Sequence, residues 1–214
     1  WKDGSKAGAQ IVKGTATDIS ATNWQQEAYA ASNKVSINGF FEPNTKYVYQ
    51  YTDNYSDNSD TVWSDEYTYT THATDTFSVI LTGDPQIGAS GSKSDKEAND
   101  MSVAQDAYNW NKTMQKAMET RESEYAGYLY PSVFRSLPIA ATIGNHDKDG
   151  SDYTAHFNNP NSEDNLGSTG AGCDFYFNNG NVLFISLNSN NRNQAEHREF
   201  MKKAVASNPD AAWK

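Results

Sequence analysis

Leu137-Pro-Ile-Ala-Ala-Thr-Ile143 is an apolar run that stops abruptly at Gly144-Asn145-His146-Asp147. An earlier run, Phe77-Ser-Val-Ile-Leu-Thr82, stops in the same manner at Gly83-Asp84-Pro85-Gln86. Short apolar runs bounded by turn residues read as buried strands. The sequence therefore predicts two strands that each deliver polar side chains at a carboxyl end, the edge at which open α/β sheets hold their ligands. In the first turn Pro85 fixes φ, which lets the Asp84 carboxylate point off the sheet edge as a hard oxygen ligand for a divalent metal. A turn-capping Asp is the plainer alternative at that position. In the second turn Asn145 offers a neutral amide oxygen to a metal. His146 has the side chain best matched to proton transfer near neutral pH, and Asp147 is placed to hold its other ring nitrogen and fix the tautomer. The plainer alternative here is a tight Gly-Asn turn with a surface histidine.

Composition narrows the partners. Acidic residues outnumber basic ones 27 to 17, for a net charge of -10, which repels nucleic acid and anionic lipid at long range. It also repels a phosphate substrate unless bound cations invert the local field. Mean hydropathy is -0.81, and no apolar run approaches the ~20 residues that cross a bilayer. The single cysteine, Cys173, excludes an internal disulfide; at the head of an apolar strand it reads as a small hydrophobe rather than a nucleophile. The Asn-, Ser-, Thr- and Tyr-rich makeup suits an extracellular or cell-surface protein secreted by a bacterium. Both ends of the chain read as cuts through something longer. Nothing in the sequence marks an oligomeric state.

Two regions differ in pattern. Residues 1–73 alternate apolar and polar positions in short segments, Gln10–Lys13, Lys34–Asn38, Lys46–Tyr51 and Glu66–Thr70, separated by turn clusters; this is the strand pattern. Glu42-Pro-Asn-Thr-Lys-Tyr47 has the spacing of a tyrosine corner, and Trp63 with Tyr67-Thr-Tyr-Thr-Thr71 resembles the closing strand of a fibronectin type III-like sandwich. Residues 74–214 mix periods. Val103, Ala107, Trp110, Met114 and Ala117 repeat as one helical face. Tyr128–Leu137 reads as a second helix. Cys173–Phe177 and Val182–Leu187 read as a hairpin closed at Asn178-Asn-Gly180, and a last helix starts near Gln194 with Asn193 as N-cap and Glu196 as capping-box acid. The fold class expected is an N-terminal all-β sandwich (1–73) joined to a partial α/β domain (74–214).

Gly-Asp-Pro-Gln and Gly-Asn-His-Asp after a fibronectin-like module resemble the calcineurin-like metallophosphoesterases, in particular the purple acid phosphatase-like bacterial enzymes. Thr154-Ala-His-Phe-Asn-Asn-Pro160 and Asp174-Phe-Tyr-Phe-Asn-Asn-Gly-Asn-Val-Leu-Phe-Ile-Ser-Leu-Asn188 are similar to that group too. The resemblance implies a metal-dependent hydrolase of small phosphate mono- or diesters with two divalent ions (Fe, Mn or Zn) at the carboxyl edge of the sheet. It assigns Asp84 to the first metal, Asn145 to the second, and His146 to the phosphate and the leaving group, while a metal-bound hydroxide attacks phosphorus.

The sequence departs from that family in three places. The second motif, Gly-Asp followed by Asp or Tyr, supplies the carboxylate that bridges the two ions. No buried run ending in Gly-Asp lies between the first helix and Gly144; Met118-Glu-Thr-Arg-Glu-Ser-Glu124 leads directly into Tyr125-Ala-Gly-Tyr. Gln86 stands where many relatives carry a ligand histidine, and the family's two later His motifs would follow Trp213-Lys214. Two cations about 4 Å apart repel unless an anion lies between them, so the chain as it stands is expected to be weakly active or inactive. His156 and Asn188 are expected to line the substrate site, each with an ordinary loop role as its alternative, and His197 reads as a surface residue. The competing function is a non-catalytic extracellular module, descended from a phosphoesterase, that binds a carbohydrate or cell-surface partner through the aromatic-rich sandwich.

Overall fold

The computed structural model describes residues 1–18, 31–57, 60–73, 76–83, 125, 128–147, 150–162 and 164–214. Asp84, Gln86 and the helical face from Val103 to Ala117 lie outside the described residues. Within them, six strands form three two-stranded antiparallel ladders: β1 (Thr15–Asp18) with β2 (Ala31–Lys34), β3 (Lys46–Tyr49) with β4 (Tyr67–Thr70), and β5 (Phe175–Asn179) with β6 (Val182–Ser186). The helices are a short α1 (Asp152–His156) and a longer α2 (Gln194–Ala206).

The β3–β4 ladder pairs Tyr47 with Tyr69 and Tyr49 with Tyr67. Tyr47 and Val48 are buried. The Tyr47 hydroxyl reaches back along the chain, accepting from the Glu42 amide at 2.7 Å and donating to the Phe40 carbonyl at 3.3 Å. This is the tyrosine-corner arrangement that the spacing predicts, and Phe41 packs edge-on against the same ring at 4.9 Å. The other early ladder sits elsewhere than expected. Strands form at 15–18 and 31–34, not at 10–13 and 34–38; alternation identifies a β-prone stretch far better than it fixes its ends.

The β5–β6 hairpin forms in the region expected, but its first strand runs Phe175–Asn179 rather than 173–177, so its turn lies beyond the expected start at Asn178. Its register pairs Asn179 with Val182, so Gly180 and Asn181 make the two-residue turn. Gly180 has φ +59, the positive value that a type II′ turn requires at its first central position. Phe177 and Phe184 stand directly opposite and stack with centroids 4.9 Å apart. α2 starts at Asn193, whose Oδ1 accepts from the amides of Ala195 and Glu196 at 3.2 and 3.4 Å. Such a cap contributes ~1 kcal/mol. Beyond α2 the chain returns alongside β6: the Leu183 amide donates to the Trp213 carbonyl at 2.8 Å, and Val182 and Trp213 form a parallel bridge. A strand, a helix and a parallel return make up a crossover unit.

Both apolar runs that were expected to be buried strands differ. Residues 77–82 have no ladder partner among the described residues, and Val79, Ile80 and Leu81 are 60, 79 and 95% exposed. Residues 137–143 also carry no ladder. There, side chains satisfy the carbonyls: the Tyr153 hydroxyl donates to Ala141 at 2.6 Å, and Asn190 Nδ2 donates to Ile143 at 3.1 Å. A central strand needs a neighbour on each edge to pair its peptide groups, and among the described residues no segment pairs with either run. The helix expected over 128–137 is reduced chiefly to a 3-10 turn, Ser132–Arg135. Pro131 precedes it with ψ 127, an extended value that ends helical geometry.

Ile143, Tyr153 and Ala171 form a small core, with Tyr125, Ala141 and Phe157 packed against it. The N-terminal ladders reach this part of the chain through Ser32 Oγ, which donates to the Ala155 carbonyl at 2.6 Å, and through the Tyr49 hydroxyl, which donates to the Arg135 carbonyl at 2.6 Å. Among the described residues no helix is long and apolar enough to cross a membrane.

Replacing Tyr47 by Phe removes the corner's hydroxyl and leaves the Glu42 amide without its acceptor. The expected loss is about 1–3 kcal/mol of unfolding free energy, measured by urea denaturation, with the far-UV spectrum unchanged. A variant as stable as the wild type contradicts the role given to this hydroxyl.

Candidate functional site

The turn after Ile143 is closed by its own carboxylate. Asp147 Oδ2 accepts from the Gly144 amide at 3.0 Å, and the Asp147 amide donates to the Gly144 carbonyl at 3.2 Å. The other oxygen, Oδ1, accepts from the Tyr125 hydroxyl. From the opposite side Asn190 Nδ2 donates to the carbonyls of Ile143 and Gly144, at 3.1 and 3.2 Å. The turn is thus held at both shoulders while Asn145 and His146 stand exposed at its apex.

This corrects the role expected of Asp147. Its oxygens bond to Gly144 and Tyr125, not to the His146 ring. An Asp three residues after a free amide readily closes such a turn on itself, and that short loop outcompetes a bond to the adjacent side chain.

His156 connects to the turn indirectly. Its ring stacks on Tyr125 with centroids 4.3 Å apart and planes at 10°, and Tyr125 in turn holds Asp147. Nδ1 of His156 donates to the Asp152 carbonyl at 2.7 Å, so the ring is fixed by α1 and half-buried. Asn188, expected to line the substrate site, is 4% exposed. Its amide donates to the Gly167 carbonyl and the Thr169 hydroxyl, both at 3.0 Å, which makes it an internal tie for the 167–172 loop rather than a substrate contact.

Beneath that loop lies a charged group absent from the expected set. The Asp174 side chain is fully buried, and its Oδ2 lies 2.7 Å from Nδ1 of His197, whose side chain is 13% exposed. Oδ1 accepts from the Asn188 amide at 2.7 Å. Nε2 of His197 faces the Asn191 carbonyl at 2.9 Å. Each ring nitrogen therefore meets an acceptor, and only the imidazolium can donate to both. The Asn191 carbonyl first and the Asp174 carboxylate second raise the His197 pKa above its usual 6.5. Gly167 makes this packing possible: it has φ +66, and a Cβ there would come within 2.1 Å of Asp174 Oδ1.

His197 is thus not the surface residue that the surrounding charges suggest. The decisive pattern is helical spacing. Phe200 and Ala204, the buried residues of α2, follow His197 by three and seven positions, which places all three on one face. Glu196 completes the network as its Oε2 accepts from the Gly167 amide and from Asn191 Nδ2, both at 3.1 Å.

Of the two metal ligands that the resemblance assigns, Asn145 is described and Asp84 lies outside the described residues. Among the described residues no three His, Cys, Asp or Glu side chains gather as a metal-binding group.

The raised pKa has a definite sign. A cation stabilised in the folded state contributes fully below the unfolded value near 6.5. That contribution fades as pH rises through the higher folded value. Urea denaturation across this window is expected to show wild-type stability falling with pH, and the His197→Gln variant losing that part of the slope. Parallel pH profiles for the two proteins would contradict the assignment.

No protein-family model matches the chain, and neither a curated protein nor a solved structure shows significant similarity to it.

Proposed function

We propose that the chain is an N-terminal β-sandwich joined to a partial α/β metallophosphoesterase-like domain, with the Asn145–His146 apex as its phosphate-facing edge. The observation that carries this reading is the doubly anchored turn. Asp147 and Asn190 fix the backbone around Gly144, so the turn that carries the two exposed side chains is held at a set place. Prearranged donors facing the position where charge develops are what catalysis at a phosphoryl group requires. In this role Asn145 Nδ2 donates to a non-bridging phosphate oxygen and His146 serves as the acid that protonates the departing ester oxygen, while water adds to phosphorus and releases its proton to solvent. The parallel return of Trp213 alongside β6 supports the α/β part of the reading.

Turnover by this chain is weak or absent. A phosphate ester approaching a protein of net charge -10 needs cations to offset the repulsion, and the carboxylate that would bridge two ions is missing from the segment before Gly144. Asp147 does not replace it, because its oxygens are already engaged. A second reading draws on the exposed rings of Tyr51 and Trp63 on the N-terminal part: a binding module whose contacts are aromatic and whose phosphoesterase-like portion is inert.

Calorimetric titration of Mn²⁺, Fe²⁺ or Zn²⁺ into the full chain, paired with an aryl phosphate assay, separates these readings. The phosphoesterase-like reading expects measurable binding, weakened about tenfold or more in Asp84→Ala and in Asn145→Ala, with hydrolysis near background. Binding unaffected by both substitutions overturns the ligand assignment. Full turnover overturns the predicted defect, and no binding of any of the three ions favours the binding module.

A further inference from the structure

The network around Asp174 and the turn that carries Asn145 and His146 are joined by one loop. Asn191 receives the second ring proton of His197 at its carbonyl, 2.9 Å away. Its own amide donates to the Asn188 carbonyl at 3.0 Å, and its side chain donates to the Ser168 carbonyl at 2.9 Å. The residue before it, Asn190, is the one whose Nδ2 holds the carbonyls of Ile143 and Gly144. Asn188 Oδ1 also accepts from Asn190 Nδ2 at 3.1 Å. Thus the 188–191 loop has its inner end on the His197–Asp174 pair and its outer end on the turn.

We propose that His197 is the positioning residue of the Gly144–Asp147 turn: its ring, donating from both nitrogens, pins the 188–191 loop, and Asn190 in that loop pins the turn. The charged groups facing the ring are Asp174, immediately before β5, and Glu196 on α2 itself. Both are acidic, and both favour the doubly protonated ring. Loss of one proton leaves Nδ1–H on the carboxylate and turns the bare Nε2 toward the Asn191 carbonyl, lone pair against lone pair. The loop then loses that anchor. Protonated His197 goes with a fixed turn, and neutral His197 goes with a loosened one. The functional consequence rests on the phosphoesterase-like reading; the mechanical coupling does not.

The test is a nitrogen-15 NMR titration of the full chain from about pH 5 to 9, spanning the imidazole range. It is carried out in the His146→Ala variant, so that the exposed ring beside Gly144 adds no signal of its own. The His197 ring nitrogens, the Asn190 side-chain amide and the Gly144 backbone amide are followed together. The expected result is a single shared midpoint, above about 6.5, for all three. Replacing Asn190 by Ala is expected to abolish the Gly144 shift while His197 still titrates. A Gly144 signal that stays flat through the His197 titration overturns the proposal, as does one that moves equally with and without Asn190. These outcomes are independent of metal binding and turnover, so failure of the phosphoesterase-like reading leaves them intact.

Discussion

A carboxylate without exposed surface has to be surrounded by donors, and in this protein Asp174 sets the arrangement of everything near it. Removing an ionised group from water costs several kcal/mol unless partners compensate. The compensation comes from three separate stretches of chain. The Asn188 amide and the His197 ring bond the two oxygens directly, while Gly167, lacking a side chain, lets the loop close over them. Each partner belongs to a segment that would otherwise be an irregular loop or an amphipathic helix. Meeting the needs of one buried charge therefore fixes the relation between the β5–β6 hairpin, α2 and the loops on one end of the hairpin.

From that anchor the order extends outward by amide side chains. Asn188 ties the 167–172 loop, Asn191 ties the 168 carbonyl and Glu196, and Asn190 reaches the carbonyls at 143 and 144. The asparagine-rich composition of 188–193 thus supplies peptide-like hydrogen bonds in places where no strand pairs the backbone. Asn193 uses the same chemistry to start α2. The apex residues Asn145 and His146 sit at the end of this series, exposed but on a backbone secured from two sides.

The sequence made the local features legible where one short-range interaction dominates. The hairpin followed from two apolar runs around an Asn-Asn-Gly turn, although its strands pair so that Gly180 and Asn181 close it; the α2 start followed from an Asn cap with Glu three residues on, and the Tyr47 corner from its spacing to Glu42. Long-range pairing was not legible. Phe77–Thr82 and Leu137–Ile143 have strand-like composition, but a strand exists only when another segment pairs with it, and neither run has such a neighbour among the described residues. Around the site, Asn145 and His146 stand exposed at the apex of a turn, whereas Asp147 turns back on Gly144 because a local bond forms more readily than one to an adjacent ring. His197 reads as a surface residue because Glu196, Arg198, Glu199, Lys202 and Lys203 flank it in sequence; only the three-and-seven spacing to Phe200 and Ala204 betrays its inward face.

The most direct test of the central role of Asp174 is the hydrogen exchange of the Asn188 backbone amide, which donates to the buried carboxylate at 2.7 Å. If that carboxylate is the anchor of this part of the molecule, the Asn188 amide exchanges only as fast as the protein unfolds globally, alongside the paired amides of β5 and β6. Exchange at the rate of an open surface loop, with the hairpin amides still protected, would contradict the account.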